Sequence, residues 1–241
     1  LLEGAALVHE LRCFACHRRD RSLGLESISQ EVIAGEESLR GLAGALRPPS
    51  LAAIGDKFPS GRLSEVLRGE AGRRRTWLRV RMPGFQHLSA ESIAAIEHYF
   101  VASDRIEDST PSDASLPTSG ELYSAGHQLV GGQGFSCTSC HDVGDYRPSG
   151  VEPNVRGPDL VGLSRWSRKG WFLRWMRDPS RRIPGVEMPA IPPGTSPLLA
   201  GRLDHQMEAL WFSLNSPKFS CLLYTSPSPR DRGCSRMPSS A

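Results

Sequence analysis

Five residues recur in this chain: Cys13-Phe14-Ala15-Cys16-His17 and, 124 positions later, Cys137-Thr138-Ser139-Cys140-His141. Residues 1–220 hold four cysteines, and all four sit in these two C-x-x-C-H stretches. A zinc ribbon also uses C-x-x-C pairs, but normally within a few tens of residues of each other. Here the pairs lie far apart and each has its own histidine. A dithiol redox motif wants a β-α-β pattern around it, and neither copy has one. The spacing therefore points to two separate units, each organised around its own Cys-Cys-His turn.

In such a turn both thiols can form thioethers to the vinyl groups of one haem, and the following histidine reaches the iron as proximal ligand. Each copy is followed downstream by a Met-Pro pair, Met82-Pro83 and Met188-Pro189. A thioether is a soft ligand, and His/Met ligation raises a haem's potential into the electron-carrier range. His87 and His98 are rival distal ligands in the first unit. Met176 and Met207 lie on helices and read as packing residues, as Met82 would if it only filled a core.

The chain of 241 residues is long enough for two small domains. With 39% hydrophobic and 23% charged residues it reads as globular, and no apolar run approaches a membrane span. A net charge of +3 gives no case for nucleic acid. Residues 1–103 form the first expected domain. Gly4, Leu7, Val8 and Leu11 share one helical face leading into Cys13, after which Arg18 opens a polar loop. Leu39 to Leu46 has no clear period. Pro48-Pro49 fixes an extended segment, which is either an ordinary loop or a donor of a backbone carbonyl to the free ring N–H of His17. Ser60 to Arg68 reads as a short helix. The basic residues Arg73, Arg74, Arg75, Arg79 and Arg81 are a solvated face, partners for haem propionates, or a surface for an acidic partner. Ser89 is placed as the N-cap of a closing helix with Ile93, Ile96 and Phe100 as its stripe.

Residues 104–118 read as a polar linker. Residues 119–220 repeat the pattern. An entry helix carries Leu122, Gly126, Leu129 and Val130, and Gly157-Pro158-Asp159-Leu160 stands where Pro48 to Leu51 stood. Trp171, Phe172 and Trp175 lie on a helix ended by Asp178-Pro179. The final helix is capped by Asp204 and striped by Met207, Leu210, Trp211 and Leu214. His127 and His205 are placed on helices, facing outward. Residues 221–241 differ from the rest and resemble the translation of a sequencing adapter. Native sequence is expected to stop near Ser220, the alternative being a genuine disordered tail. With no initiator Met or signal peptide, the chain reads as a fragment or processed form.

On these motifs and their order the chain resembles a tandem of class I cytochrome c domains over residues 3–102 and 120–216. The resemblance implies an all-α fold of two domains, each a few short helices around a covalently bound haem. It makes Cys13, Cys16, Cys137 and Cys140 thioether anchors, His17 and His141 proximal ligands, and Met82 and Met188 distal ligands. The carbonyls of Pro49 and Pro158 would orient the histidines; Pro48-Pro49 departs from the Gly-Pro more usual in the family.

The expected function is a dihaem c-type cytochrome passing single electrons between a redox donor and acceptor, as a carrier or as the cytochrome part of a larger respiratory or dehydrogenase protein. The alternative is a dihaem peroxidase, which needs one iron with an open position and acid-base groups over it. Haem c is attached outside the cytoplasm, so a periplasmic or other extracytoplasmic location is expected, with membrane association only through a segment upstream.

Overall fold

The computed structural model describes residues 1–108, 116–217 and 219. The middle of the expected linker and the expected adapter-like tail lie outside the described residues. The regular elements are helical: α1 (Leu2–Glu10), α2 (Cys13–Cys16), α3 (Glu26–Gly35), α4 (Ala43–Leu46), α5 (Ile54–Lys57), α6 (Arg62–Leu67), α7 (Ala90–Asp104), α8 (Ser119–Val130), α9 (Lys169–Arg177), α10 (Pro179–Arg182) and α11 (Leu203–Leu214). Among the described residues the only strand-like pairings are two isolated bridges, Arg19 with Ser22 and Val143 with Tyr146. The chain gathers into two compact units. One is Leu1–Ser112 with Ser149–Pro158 and Ser164–Ile191; the other is Asp113–Pro148 with Asp159–Leu163 and Pro192–Ala241.

The first unit is built on α1 and α7. Ser89 accepts a hydrogen bond from the Ser92 backbone at 3.1 Å and so caps α7. The stripe of Ile93, Ile96 and Phe100 is buried with Val8, Ile54, Leu63 and Leu67, and Cys13, Phe14, Leu51, Phe58 and Phe85 pack on that core. Helix α1 crosses α7 at Gly4, where a Cβ would strike the Ala95 carbonyl and the Tyr99 Cβ. Helix α3 has no periodic apolar signal, and its Ile28 and Val32 are exposed.

Helix α9 joins this unit through a knot of charge. Asp56 is 1% exposed and takes Arg168 Nη1 at 2.8 Å and Arg174 Nη2 at 3.0 Å. Its Oδ1 also accepts from the Ile106 backbone at 3.2 Å. Asp108 takes the other arms of the same arginines, Arg168 Nη2 at 2.7 Å and Arg174 Nη1 at 3.0 Å. A Cβ at position 170 would meet the Asp108 carboxylate, so a side chain there would have to displace it from the two arginines.

The second unit repeats the crossing. Thr118 and Glu121 form a capping box at the start of α8. Leu122, Ala125, Gly126, Leu129 and Val130 of α8 are buried, as are Met207, Ala209, Leu210, Ser213 and Leu214 of α11. A Cβ at Gly126 would meet the Ala209 carbonyl and Ser213 Oγ, and that hydroxyl is already committed to the Tyr123 carbonyl at 3.0 Å. Gly126→Val is therefore expected to cost about 1–3 kcal/mol by overpacking, read as a lowered melting temperature of the full chain. An unchanged melting temperature would contradict this crossing.

Three expectations change here. Arg202, not Asp204, occupies the N-cap of α11; Asp204 lies in the first turn and receives Arg202 Nη2 at 2.9 Å. His205 is 6% exposed. His127 is half-buried between Tyr123, 4.5 Å away edge-on, and Phe219, stacked at 4.4 Å, and neither ring nitrogen meets a hydrogen-bond partner. Burial lowers the His127 pKa below its usual 6.5. The unfolded chain then binds this proton first, so the stability His127 contributes is complete above about pH 6.5 and is lost as pH falls through the lower, folded value. The melting temperature should fall between pH 7.5 and 5 more steeply in the parent than in His127→Phe. Equal slopes would remove His127 from the account.

Candidate functional site

The first Cys-Cys-His turn is set by a backbone reversal. Arg12 adopts the left-handed conformation (φ 52°), which ends α1 and starts α2 at Cys13. The His17 N–H donates to the Cys13 carbonyl at 3.0 Å. On the ring, Nδ1–H donates to the Pro49 carbonyl at 2.7 Å. That carbonyl is held in turn, because the Leu51 N–H and Ser50 Oγ both donate to Arg18 O, at 3.0 and 3.1 Å. Burial lowers the His17 pKa, partly opposed by the Pro49 bond. The ring is thus a neutral imidazole with its proton on Nδ1 and its lone pair on Nε2.

The second turn repeats the main backbone contacts of the first. Ser136 is left-handed (φ 54°), a short 3-10 turn spans Cys137–Ser139, and the His141 N–H donates to the Cys137 carbonyl at 2.9 Å. The bridge of Arg19 with Ser22 becomes that of Val143 with Tyr146. The bond from Leu51 N–H to Arg18 O becomes one from Leu160 N–H to Asp142 O, at 3.0 Å.

All four thiols are free: Cys13, Cys16, Cys137 and Cys140. Burial raises the Cys13 pKa and pushes Cys137 up to about 12. A dithiol redox centre needs the opposite, a thiol pKa depressed toward neutrality. Among the described residues no three His, Cys, Asp or Glu side chains converge on a common metal point. Two free thiols and one imidazole with an available lone pair are the donor set that a covalently tethered haem requires, and the residues present fit that group.

Met82 lies in an irregular loop and is 42% exposed, whereas Met176 and Met207 are core residues. The loop is pinned on both sides, by Arg79 N–H on Ala45 O at 2.8 Å and Phe85 N–H on Leu67 O at 2.9 Å. His87 and His98 are exposed. Met188 is half-buried, and Trp175 Nε1–H donates to its sulfur at 2.9 Å. Trp175 stacks on Trp171 at 4.9 Å between ring centres. Of the arginine run, Arg73 turns back to the carbonyls of Thr76 and Leu78, and Arg81 to that of Leu78. Arg75 is set deep enough for burial to lower its pKa.

Cys13, Cys16, His17, Pro49, Met82, Pro158 and Met188 belong to the first compact unit, and Cys137, Cys140 and His141 to the second. The bond from Trp175 to Met188 had no separate signal in sequence; the tryptophans mark a helix face but not where an indole N–H points. No known family model, curated protein or solved structure matches this chain.

Proposed function

We propose that this chain is a dihaem c-type cytochrome that passes single electrons between a protein donor and a protein acceptor. The observation that carries this reading is the duplicated Cys-Cys-His turn, whose first copy holds the histidine ring by Nδ1–H on Pro49 O and leaves Nε2 as a metal donor. Cys13 with Cys16, and Cys137 with Cys140, are the thioether anchors; His17 and His141 are the proximal ligands. Met82 and Met188 are the distal ligands, and the carbonyls of Pro49 and Pro158 orient the histidines. When bound, the haem supplies one-electron exchange at its iron. The chain's own contribution is to fix the neutral tautomer of His17, to hold the Met82 loop at both ends, and to turn the Trp175 N–H onto the Met188 sulfur. Two thioether ligands leave no open position for a substrate, which favours electron transfer over peroxidase chemistry. Attachment of haem c implies an extracytoplasmic location; no helix among the described residues is long and apolar enough to cross a membrane.

The test is the full chain expressed with a haem c maturation system. Two haems per chain that survive acidic organic extraction, with a ferric far-red band of methionine ligation equivalent to two sites, are expected. Absence of covalent haem would overturn the reading. Two haems with half the band and a high-spin signature would favour the peroxidase.

A further inference from the structure

Met82 lies in an irregular, exposed loop, so its position is set by what holds the two ends of that loop. The later end rests on the end of α6: Phe85 N–H donates to the Leu67 carbonyl at 2.9 Å, and Gln86 Nε2–H to the Arg68 carbonyl at 2.9 Å. The earlier end rests on α4. Arg79 N–H and Val80 N–H converge on one acceptor, the buried Ala45 carbonyl, at 2.8 and 3.4 Å. Helix α4 is a single turn of four residues, too short to persist on its own hydrogen bonds. Its place, and with it the anchor of Arg79 and Val80, depends on what packs against it.

That support comes from a distant stretch, Ser149–Pro158, which gathers with the first unit. Within it Val155 N–H and Arg156 N–H both turn back onto the Glu152 carbonyl, at 3.1 and 3.0 Å, and make a compact turn. Pro153 and Asn154 of this turn lie against Gly44 of α4. A Cβ at Gly44 would strike the Pro153 carbonyl and the Asn154 Cα, so a side chain there would have to push the turn away. At the other end of the turn, the Arg156 guanidinium stands 5.1 Å over the Trp77 ring, an attractive contact between a cation and a π face. One turn therefore touches both the helix that anchors Arg79 and Val80 and the residue two positions before Arg79.

We infer that residues 152–156 are a brace for the Met82 loop and that Arg156, acting through Trp77, is a positioning residue for Met82. Resting on the function proposed above, the brace keeps the methionine sulfur where an iron can take it. The brace is borrowed along the chain: it lies after the second Cys-Cys-His turn and just before Gly157-Pro158, yet it serves a loop of the first repeat.

The experiment compares the full chain with Arg156→Gln, Arg156→Lys and Gly44→Ala. Hydrogen exchange at single backbone amides reads the brace. Displacement of the far-red methionine band by added imidazole, in the haem-matured chain, reads its effect on the ligand. Arg156→Gln should speed exchange at Arg79 and Val80 about threefold and leave Phe85, held from α6, unchanged. Arg156→Lys keeps a cation and should restore most of the protection, whereas Gly44→Ala should speed the same two amides roughly tenfold. Half of the methionine band should yield to imidazole at about threefold lower concentration in Arg156→Gln, and the other half as in the parent. Unchanged exchange at Arg79 and Val80 in both Arg156→Gln and Gly44→Ala would overturn the brace. Equal acceleration at Phe85 would overturn it too, because the whole unit would then have loosened. Faster exchange with unaltered displacement would overturn the positioning of Met82. If the parent takes up no haem, the proposed function fails separately, and exchange on the haem-free chain decides the brace by itself.

Discussion

Asp56→Ala is expected to destabilise the first compact unit by about 3–5 kcal/mol, the range for removing one partner of a buried ion pair. Three features place it at the upper end of single-residue effects. The carboxylate is buried, two guanidiniums converge on it, and a backbone N–H uses its remaining capacity. Its loss leaves Arg168 and Arg174 with Asp108 alone, a carboxylate exposed enough for water to weaken its hold. Urea unfolding of the full chain, with Asp108→Ala as the comparison, should show the larger loss for Asp56→Ala. Equal effects would mean that the knot acts through its exposed end and contributes little by burial.

This knot also explains where sequence reading stops. Helices α1, α7, α8 and α11 are legible because each carries its own instructions: a 3.6-residue apolar stripe and, for α7 and α8, a side-chain cap within three residues of the start. Helix α3 carries neither, and its Ile28 and Val32 face solvent, so no periodic signal marks a buried face. The gathering of residues 164–191 with the first unit depends on Asp56 meeting arginines more than a hundred positions away, and charge pairing at that distance leaves no local pattern. His127 and His205 are hidden for a related reason. Polar residues at helical positions read as outward-facing until the partner helix and Phe219 are in place.

The candidate site divides along the same line. The two Cys-Cys-His turns are contiguous in sequence, and their local geometry follows from a left-handed residue just before the first cysteine, at Arg12 and at Ser136. What grips the histidine ring is a tertiary event. Pro49 presents its carbonyl to His17 because Ser50 and Leu51 both dock on Arg18, a register that a Pro-Pro pair by itself does not fix. Arg75 is hidden more deeply still, because an arginine run reads as a solvated face until one member turns inward.

Replacing one thiol pair at a time should give the largest functional change. Under the proposed function, Cys13→Ser/Cys16→Ser is expected to lower covalent haem from two per chain to one, and Cys137→Ser/Cys140→Ser to do the same, because each thioether pair would serve only its own turn. The serines are close in size, and Cys13 is only half-buried in its core, so the helices should survive and the loss should be read as haem rather than as fold. Each single-haem chain then isolates one iron and identifies its distal ligand. In the chain keeping Cys137 and Cys140, Met188→Leu should abolish the far-red methionine band while Met82→Leu leaves it intact; in the chain keeping Cys13 and Cys16 the two substitutions should exchange effects. If Met82→Leu, and not Met188→Leu, removed the band of the haem at His141, the pairing of ligands by sequence order would be wrong although both haems were bound.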